Sequence, residues 1–321
     1  MRLLQKLLRK PSVAPGIVAL SFFPHGFALA VTRYPDTNRP RLLHCEFVPV
    51  AEQQRQSKLQ ALIRDHQLED YDCHILLSPD QYRSISLEAP VVPAEELRQA
   101  IKWRIADMLE YPADQAGIDY YPLPKSNRAN APAMLEAVAC RAEMSESLIL
   151  LCKEAGLNVK VIDIQETALR NLASLLPENP QGVAVLHLHQ NSGIIIIQKN
   201  GSIYLSRKFD YGYSRLTEGL LVDNREQLQL EQNNLALEIQ RSLDYAEHFY
   251  DMPPINSLAV VLMPNDSYGI INFLNINYGI TTRAMDLSAI IEGDILLNDT
   301  TQNLCAPCIG ASLRRYLELP K

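Results

Sequence analysis

The sequence predicts a duplicated α/β fold: two halves around a cleft, with a small α+β subdomain inserted in the first half. Three observations carry this. At 321 residues the chain is long enough for about two domains of roughly 150 residues each. A three-strand meander followed by helix occurs twice, opening near residues 16 and 183, alike in pattern but not in sequence. Between them, a β-α-β-β-α-β run of about seventy residues forms a unit of its own.

The first meander covers 16–23, 27–33 and 42–50. These segments are rich in β-branched and apolar residues, with Pro24, His25, Gly26 and the prolines Pro35 and Pro40 between them. A polar helix over 53–66 turns Leu59, Leu62 and Ile63 inward, and two more strands fit 73–77 and 82–88. Pro90 and Pro93 punctuate the next unit. Glu95 and Glu96 suit a helix N-terminus, and that helix, reaching about 109, buries Leu97, Ile101, Ile105 and Met108. Strands at 118–123 and 134–140 flank a polar hairpin. A helix at 144–154 ends at Gly156, and a strand follows at 159–164. The inserted subdomain is therefore expected over about 91–162.

A helix at 167–176 and a linker at 177–182 lead to the second meander, 183–187, 193–199 and 202–209, with the turn formers Asn200 and Gly201. Helices follow at 213–221 and 228–250. The longer one carries Leu235, Ile239, Leu243, Ala246 and Tyr250 on one stripe. A buried strand at 257–262, a helix at 268–274, a strand at 279–283 and a final helix at 309–317 complete the pattern. The expected divisions are 1–12, 13–180 and 181–321.

Hydrophobic residues make up 47% and charged residues 21%, an ordinary globular composition that excludes a disordered chain, a coiled coil or a collagen-like fibre. A net charge of -7 opposes nucleic-acid binding through bulk charge. No apolar run approaches the ~20 residues that span a bilayer, and the start lacks a secretory core, so a cytoplasmic protein is expected. Within the first ten residues Leu3, Leu4, Leu7 and Leu8 recur at helical spacing among Arg2, Lys6, Arg9 and Lys10. Such a segment suits a short amphipathic helix on an anionic membrane surface; the plainer reading is a frayed tail or a turn docked on its own domain. The six cysteines lack framework spacing and fit reduced thiols.

Several strings resemble a known family. RQAIKWRIADMLEYP at 98–112, VIDIQETAL at 161–169, EIQRSLDY at 238–245 and CIGASLR at 308–314 occur in the order and spacing of PilM, the actin-like cytoplasmic protein of type IV pilus machines. The likeness is greatest to the MshI branch, which serves mannose-sensitive haemagglutinin pili; the cytoplasmic domain of GspL from type II secretion is a more distant relative. The resemblance implies an actin-like fold of the FtsA/PilM type. It also implies a partner: in PilM the N-terminal cytoplasmic peptide of an inner-membrane PilN docks in the groove between the first and inserted subdomains. By resemblance the partner here is PilN-like (MshJ-like in the haemagglutinin system), and the groove involves the segment around 84–111.

PilM also binds ATP in the cleft between its halves. That chemistry needs a Gly in each phosphate-binding hairpin, so that backbone N–H groups approach the phosphate, and an Asp to help hold hydrated Mg²⁺. This sequence departs from the pattern. Val18 and Leu20 stand where the first hairpin's Asp and Gly belong, and His187 and His189 where the second's belong. Pro264, without an N–H, lies in the turn that in the family makes room for adenosine, and Gln165 replaces an acid. No ATP hydrolysis is expected, ATP binding is weak or absent, and no cofactor is required. If a ligand does occupy the cleft, the resemblance places Ser21, His187, His189, Ser192, Gly193, Glu238, Asn265 and Gly310 around it.

Other constellations carry little chemistry. His187 and His189 share one face of a strand. They suit a phosphate contact or a pair of hydrogen-bonded structural residues, and without a third ligand they are a poor metal site. The Cys305-x-x-Cys308 spacing matches a redox motif but lacks a strand leading directly into the helix, so two buried thiols at a helix start are expected. Asp244 and Glu247 read as a solvated helix face, and Trp103 as packing. No nucleophile-elbow, zinc-protease or Walker A string occurs. The leading expectation is a non-enzymatic assembly protein; a divergent ATPase and a binder of another small ligand are the alternatives.

Overall fold

The computed structural model describes residues 14–34, 40–221, 225–264 and 267–314. In the first half β1 (Gly16–Phe23), β2 (Gly26–Arg33) and β3 (Arg41–Pro49) form an antiparallel meander. After α1 (Glu52–Asp65), β4 (Asp72–Leu76) runs parallel to β1, and β8 (Asn158–Asp163) runs parallel to β4. In the second half the meander is β9 (Val183–Leu188), β10 (Gly193–Lys199) and β11 (Ser202–Phe209). It is followed by α5 (Tyr213–Leu221), α6 (Arg225–Tyr250), β12 (Ser257–Val261), α7 (Ser267–Tyr278) and β13 (Thr281–Met285). The strand orders β3-β2-β1-β4-β8 and β11-β10-β9-β12-β13 are the same topology twice. A short β14 (Glu292–Gly293) adds to the β3 edge of the first sheet.

The central strands are apolar on both faces because each sheet is covered on both sides. On β1 and β2, Val18, Leu20, Leu29 and Val31 pack with Leu59 and Ile63 of α1, while Ala19, Ala28 and Ala30 face the other half. These alanines leave room for two helices between the sheets: α4 (Gln165–Ala173) and α9 (Asp299–Ser312). The core they share joins both halves, with Val185, Ile194 and Ile196 on the second sheet's side. The two helices cross at Gly310, where an added Cβ would overlap the carbonyl oxygen of Ala168, and Asn171 Nδ2 donates to the Gly310 carbonyl at 2.9 Å.

A third sheet of β5 (Tyr82–Glu88), β7 (Met134–Arg141) and β6 (Ala116–Pro122), in that order, carries α2 (Ala94–Ile105) on one face. Ile101 and Ile105 pack there on Leu135, Ala137 and Ala139. The insertion is thus bounded by β5 and β7, over 82–141, not 91–162. The helix after it, α3 (Ala142–Glu154), packs Leu148 and Cys152 into the first half's core, and β8 pairs with β4. The alternating pattern of β8 is compatible with either sheet, and only the pairing decides. Met108 and Trp103 are also displaced from expectation. Met108 is exposed, and Trp103, at 72% exposure, faces solvent rather than packing.

The last helix differs most from its sequence reading. It spans Asp299–Ser312 rather than beginning at 309, and starts at a capping residue, Asn298, whose Oδ1 accepts from the Thr301 N–H at 2.8 Å; the expected end at 315–317 lies outside the described residues. Pro307 lies in its interior, where a proline ordinarily breaks a helix. A one-turn helix, α8 (Leu287–Ile290), precedes it. Among the described residues no helix is long and apolar enough to cross a membrane. The amphipathic segment at 1–10 lies outside the described residues.

Candidate functional site

The cleft floor is where β1, β9, α4 and α9 meet, and it is assembled from side chains of both halves. His187, at the end of β9, is fully buried. Its Nε2 lies 2.9 Å from the main-chain carbonyl of Asn303 and its Nδ1 2.9 Å from Gln165 Nε2. A carbonyl only accepts, so Nε2 carries the proton and Nδ1 accepts from the Gln165 amide. The other Gln165 amide proton goes to His189 Nε2 at 2.5 Å. The two imidazoles lie 4.2 Å apart. Both are held neutral. Burial pushes His187 well below its ordinary value, reinforced by its neighbour, and burial with the Lys208 charge brings His189 down to about 4. One glutamine on the first half's helix thus fixes two histidines on the second half's strand.

Asn303 completes the arrangement. Its Nδ2 donates to the carbonyls of Leu188 and Leu262, at 3.0 and 3.1 Å. These are the carbonyl groups just where β9 and β12 end, so the C-terminal ends of two adjacent strands are already satisfied by α9. The space left in the floor, between Ser21, Leu77, Gln165, His189, Leu304 and Pro307, is a cavity of about 10 Å³. That is room for about one water. Ser21 Oγ and Gln165 Oε1, buried and without a protein partner, belong to its lining.

The other described residues expected around a cleft ligand do not line this cavity. Ser192 and Gly193 close the β9–β10 hairpin, where the His189 N–H donates to the Ser192 carbonyl at 2.8 Å and Phe209 covers Gly193. Glu238 lies on α6, 3.3 Å from Arg207 and 2.8 Å from Arg241. Gly310 is the helix-crossing residue described above. Asn265 lies outside the described residues. Val18 and Leu20 are core side chains of the first sheet. Cys305 and Cys308 are buried in the middle of α9, not at its start, and burial pushes the Cys308 thiol well up, which makes it inert toward redox exchange. Asp244 is exposed and Glu247 half-buried on α6. Among the described residues no cluster of three or more His, Cys, Asp or Glu is placed to hold a metal.

Two further sites lie outside the cleft floor: the first had no signal in the sequence, and the second is a groove that the family resemblance placed around 84–111 without naming contact residues. Between the halves, Glu166 of α4 is fully buried, accepts from the Tyr82 hydroxyl and lies 3.3 Å from Lys208 Nζ, which sits 3.6 Å over the Tyr82 ring. On the outer side, a groove of about 230 Å³ separates the first half from the small sheet. Tyr111, Ala139 and Met144 give it apolar surface, and Asp80, Arg83, Glu110 and Arg141 a charged rim. Arg83 pairs with Glu110, and Arg141 stacks 4.3 Å over the Tyr111 ring. Tyr111 was recognisable only as the end of a family-like string.

Comparison with known proteins gives a family and a fold. The family model described as type IV pilus assembly protein PilM matches residues 65–245. A PilM–PilN type IV pilus biogenesis complex superposes with a TM-score of 0.70 at 16% identity, over 94% of this chain and 99% of that one. A Bacteroides thetaiotaomicron protein with an actin-like ATPase fold superposes at 0.50 and 11% identity, over 87% and 93%. The cytoplasmic domain of EpsL from the Vibrio cholerae type II secretion system reaches 0.48 at 12% identity, over 93% and 94%. No curated protein matches the sequence. The fold is the actin-like one.

Proposed function

The chain belongs to the type IV pilus assembly protein PilM family, and on that premise we propose that it is a non-enzymatic scaffold that docks the cytoplasmic peptide of a PilN-like inner-membrane protein. The observation that carries this reading is the groove between the first half and the small sheet. Its apolar surface of Tyr111, Ala139 and Met144 inside a rim of both charges suits an extended peptide with apolar anchors. A disordered tail that orders on such a preformed groove binds by coupled folding. The likeness to a chain from a PilM–PilN complex supports the choice of partner.

Within the family, the chain is assigned to the MshI branch of mannose-sensitive haemagglutinin pili, with an MshJ-like protein as partner. Its place is the cytoplasmic face of the inner membrane, held by the partner and by the basic segment Leu3, Leu4, Lys6, Leu7, Leu8, Arg9 and Lys10 together, two weak attachments that add by avidity. The competing reading, a divergent ATP-binding protein, is disfavoured by Val18, Leu20, His187 and His189 standing where the family's hairpins carry Asp and Gly.

The test is fluorescence anisotropy of a labelled N-terminal cytoplasmic peptide from a PilN-like inner-membrane protein. Tyr111→Ala and Arg141→Glu should each weaken binding about tenfold, the scale of a lost anchor contact, while Glu238→Gln leaves it unchanged. Equal affinity for all four proteins would overturn the assignment of the groove.

A further inference from the structure

The insertion is tied to the second half at a place distant from the cleft floor. In the β6–β7 connection, Ser126 Oγ donates to the Phe249 carbonyl at 2.6 Å, the Asn127 N–H to the Tyr250 carbonyl at 3.0 Å, and Asn127 Nδ2 to the Asp251 carbonyl at 2.9 Å. These are the orphan carbonyls at the C-terminus of α6. The small sheet is thereby drawn over the edge strand β11, and the space enclosed between them is a cavity of about 250 Å³. An adjoining cavity of about 400 Å³ shares Glu136 and Ser206 with it.

The wall of the first cavity is aromatic. Tyr245 stacks parallel on Phe249 with ring centroids 5.4 Å apart, Tyr204 meets Tyr250 edge-on at 4.9 Å, and Tyr121 closes the opposite side. The Tyr121 hydroxyl is buried and has no hydrogen-bond partner. Into this space Glu136 of β7 brings a carboxylate that is only 6% exposed. Ser84 Oγ donates to it at 2.6 Å and Ser86 Oγ donates to its other oxygen, but among the described residues it has no ion pair. The cations that line the two cavities are engaged elsewhere, Arg83 with Glu110, and Arg207 with Glu238 and Lys208 with Glu166, the latter two at 3.3 Å. A buried carboxylate without a counter-charge is costly to a fold, and serine hydroxyls offset part of that cost while holding the group fixed. Burial raises the Glu136 carboxyl above the usual range and the two serines oppose that rise.

We propose that this cavity binds a small organic cation, an ammonium or guanidinium compound, with Glu136 as its counter-charge and Tyr204, Tyr245 and Phe249 as the aromatic wall. Rings present their negative faces to cations, and an aromatic lining around one carboxylate is the chemistry that recognises alkylammonium groups. The volume falls just below the roughly 300–1,000 Å³ of drug-sized sites, which suits a compact ligand.

The experiment is calorimetric titration of the full chain with choline and with n-butylguanidinium, beside dimethylbutanol, the neutral carbon isostere of choline. At least one cation should bind, and dimethylbutanol should bind tenfold or more weakly than choline if choline is that cation. Glu136→Gln should remove cation binding by tenfold or more. Tyr245→Ala, at a position 51% exposed and so safe for folding, should weaken it several-fold. No heat with either cation, equal binding of choline and its isostere, or undiminished binding by a folded Glu136→Gln protein would overturn the proposal.

Discussion

His187 gives its Nε2 proton to the main-chain carbonyl of Asn303, and that carbonyl is the one Pro307 leaves without a helical partner. In a regular helix the Asn303 carbonyl accepts from the N–H four residues on, and residue 307 has none. The histidine of one half replaces the missing hydrogen bond in a helix that packs on the other. Asn303 answers with its side chain, donating to the Leu188 carbonyl on the neighbouring residue of the same strand. The docking of the second sheet therefore satisfies the carbonyl that the proline in α9 leaves open.

This relationship predicts a double-mutant cycle. His187→Leu strands the Asn303 carbonyl in a buried site and should cost about 1–3 kcal/mol, the penalty of an unsatisfied buried group. Adding Pro307→Ala restores a helical N–H for that carbonyl. The second change should recover about 1 kcal/mol in the His187→Leu background and little in the parent, read from urea unfolding midpoints. Strict additivity would show that the two residues do not share the carbonyl.

Stability should depend on acid through the two cleft histidines. His189 titrates at about 4 in the fold and near 6.5 unfolded. The unfolded chain therefore takes up its proton first. Stability is full above about pH 6.5 and is lost as pH falls toward about 4, by on the order of 3 kcal/mol for this group. His187, also lowered, acts in the same direction. His189→Gln should flatten the fall in unfolding free energy over that window; an unchanged slope would place the acid sensitivity elsewhere.

The close crossing of α4 and α9 gives a third prediction. Gly310→Ala should destabilise by about 1–3 kcal/mol, the range for overpacking, even though alanine is the better helix former by about 1 kcal/mol. The overlap falls on Ala168 backbone, which has no rotamer to move. A gain in thermal midpoint would mean that the helices separate without cost.

Pattern made the duplicated meanders legible, because strands with long apolar runs such as β1 and β10 announce themselves at 16–23 and 193–199. It misplaced the start of α9, which runs through Pro307 although an interior proline ordinarily breaks a helix; the bond from His187 to the Asn303 carbonyl, which no local pattern shows, supports it there. It also misplaced the insert, since β8 fits two sheets by pattern alone. The histidines were legible as a same-face pair, but their shared partner Gln165 comes from another element. Glu136 left no trace: a glutamate in a strand ordinarily points to solvent, and its burial follows from the docking of the small sheet on β11.

The cleft's capacity for nucleotide yields the last prediction. A phosphate cradle needs free backbone N–H groups at the tips of two hairpins. In the first hairpin the β1–β2 ladder runs unbroken from Gly16 opposite Arg33 to Phe23 opposite Gly26, and β1 also pairs with β4, which commits the β1 amides to the sheet. In the second, pairing continues to Leu188 opposite Gly193, and the tip carbonyls of His189 and Gln190 receive the first N–H groups of α5 from Tyr213 and Ser214, at 2.9 and 3.0 Å. Among the described residues the floor between the hairpins encloses about 10 Å³, and the imidazoles beside it are neutral at pH 7 and offer no charge to phosphate. Calorimetry with Mg–ATP on folded protein should show no binding heat, and the melting temperature should not move. Micromolar binding would require Gln165 to release both histidines and the halves to open. The variant Gln165→Leu, which leaves His189 Nε2 without its donor, separates the cases: if the cleft does open around nucleotide, this change should alter affinity, and if the floor is a fixed strut, it should lower stability alone.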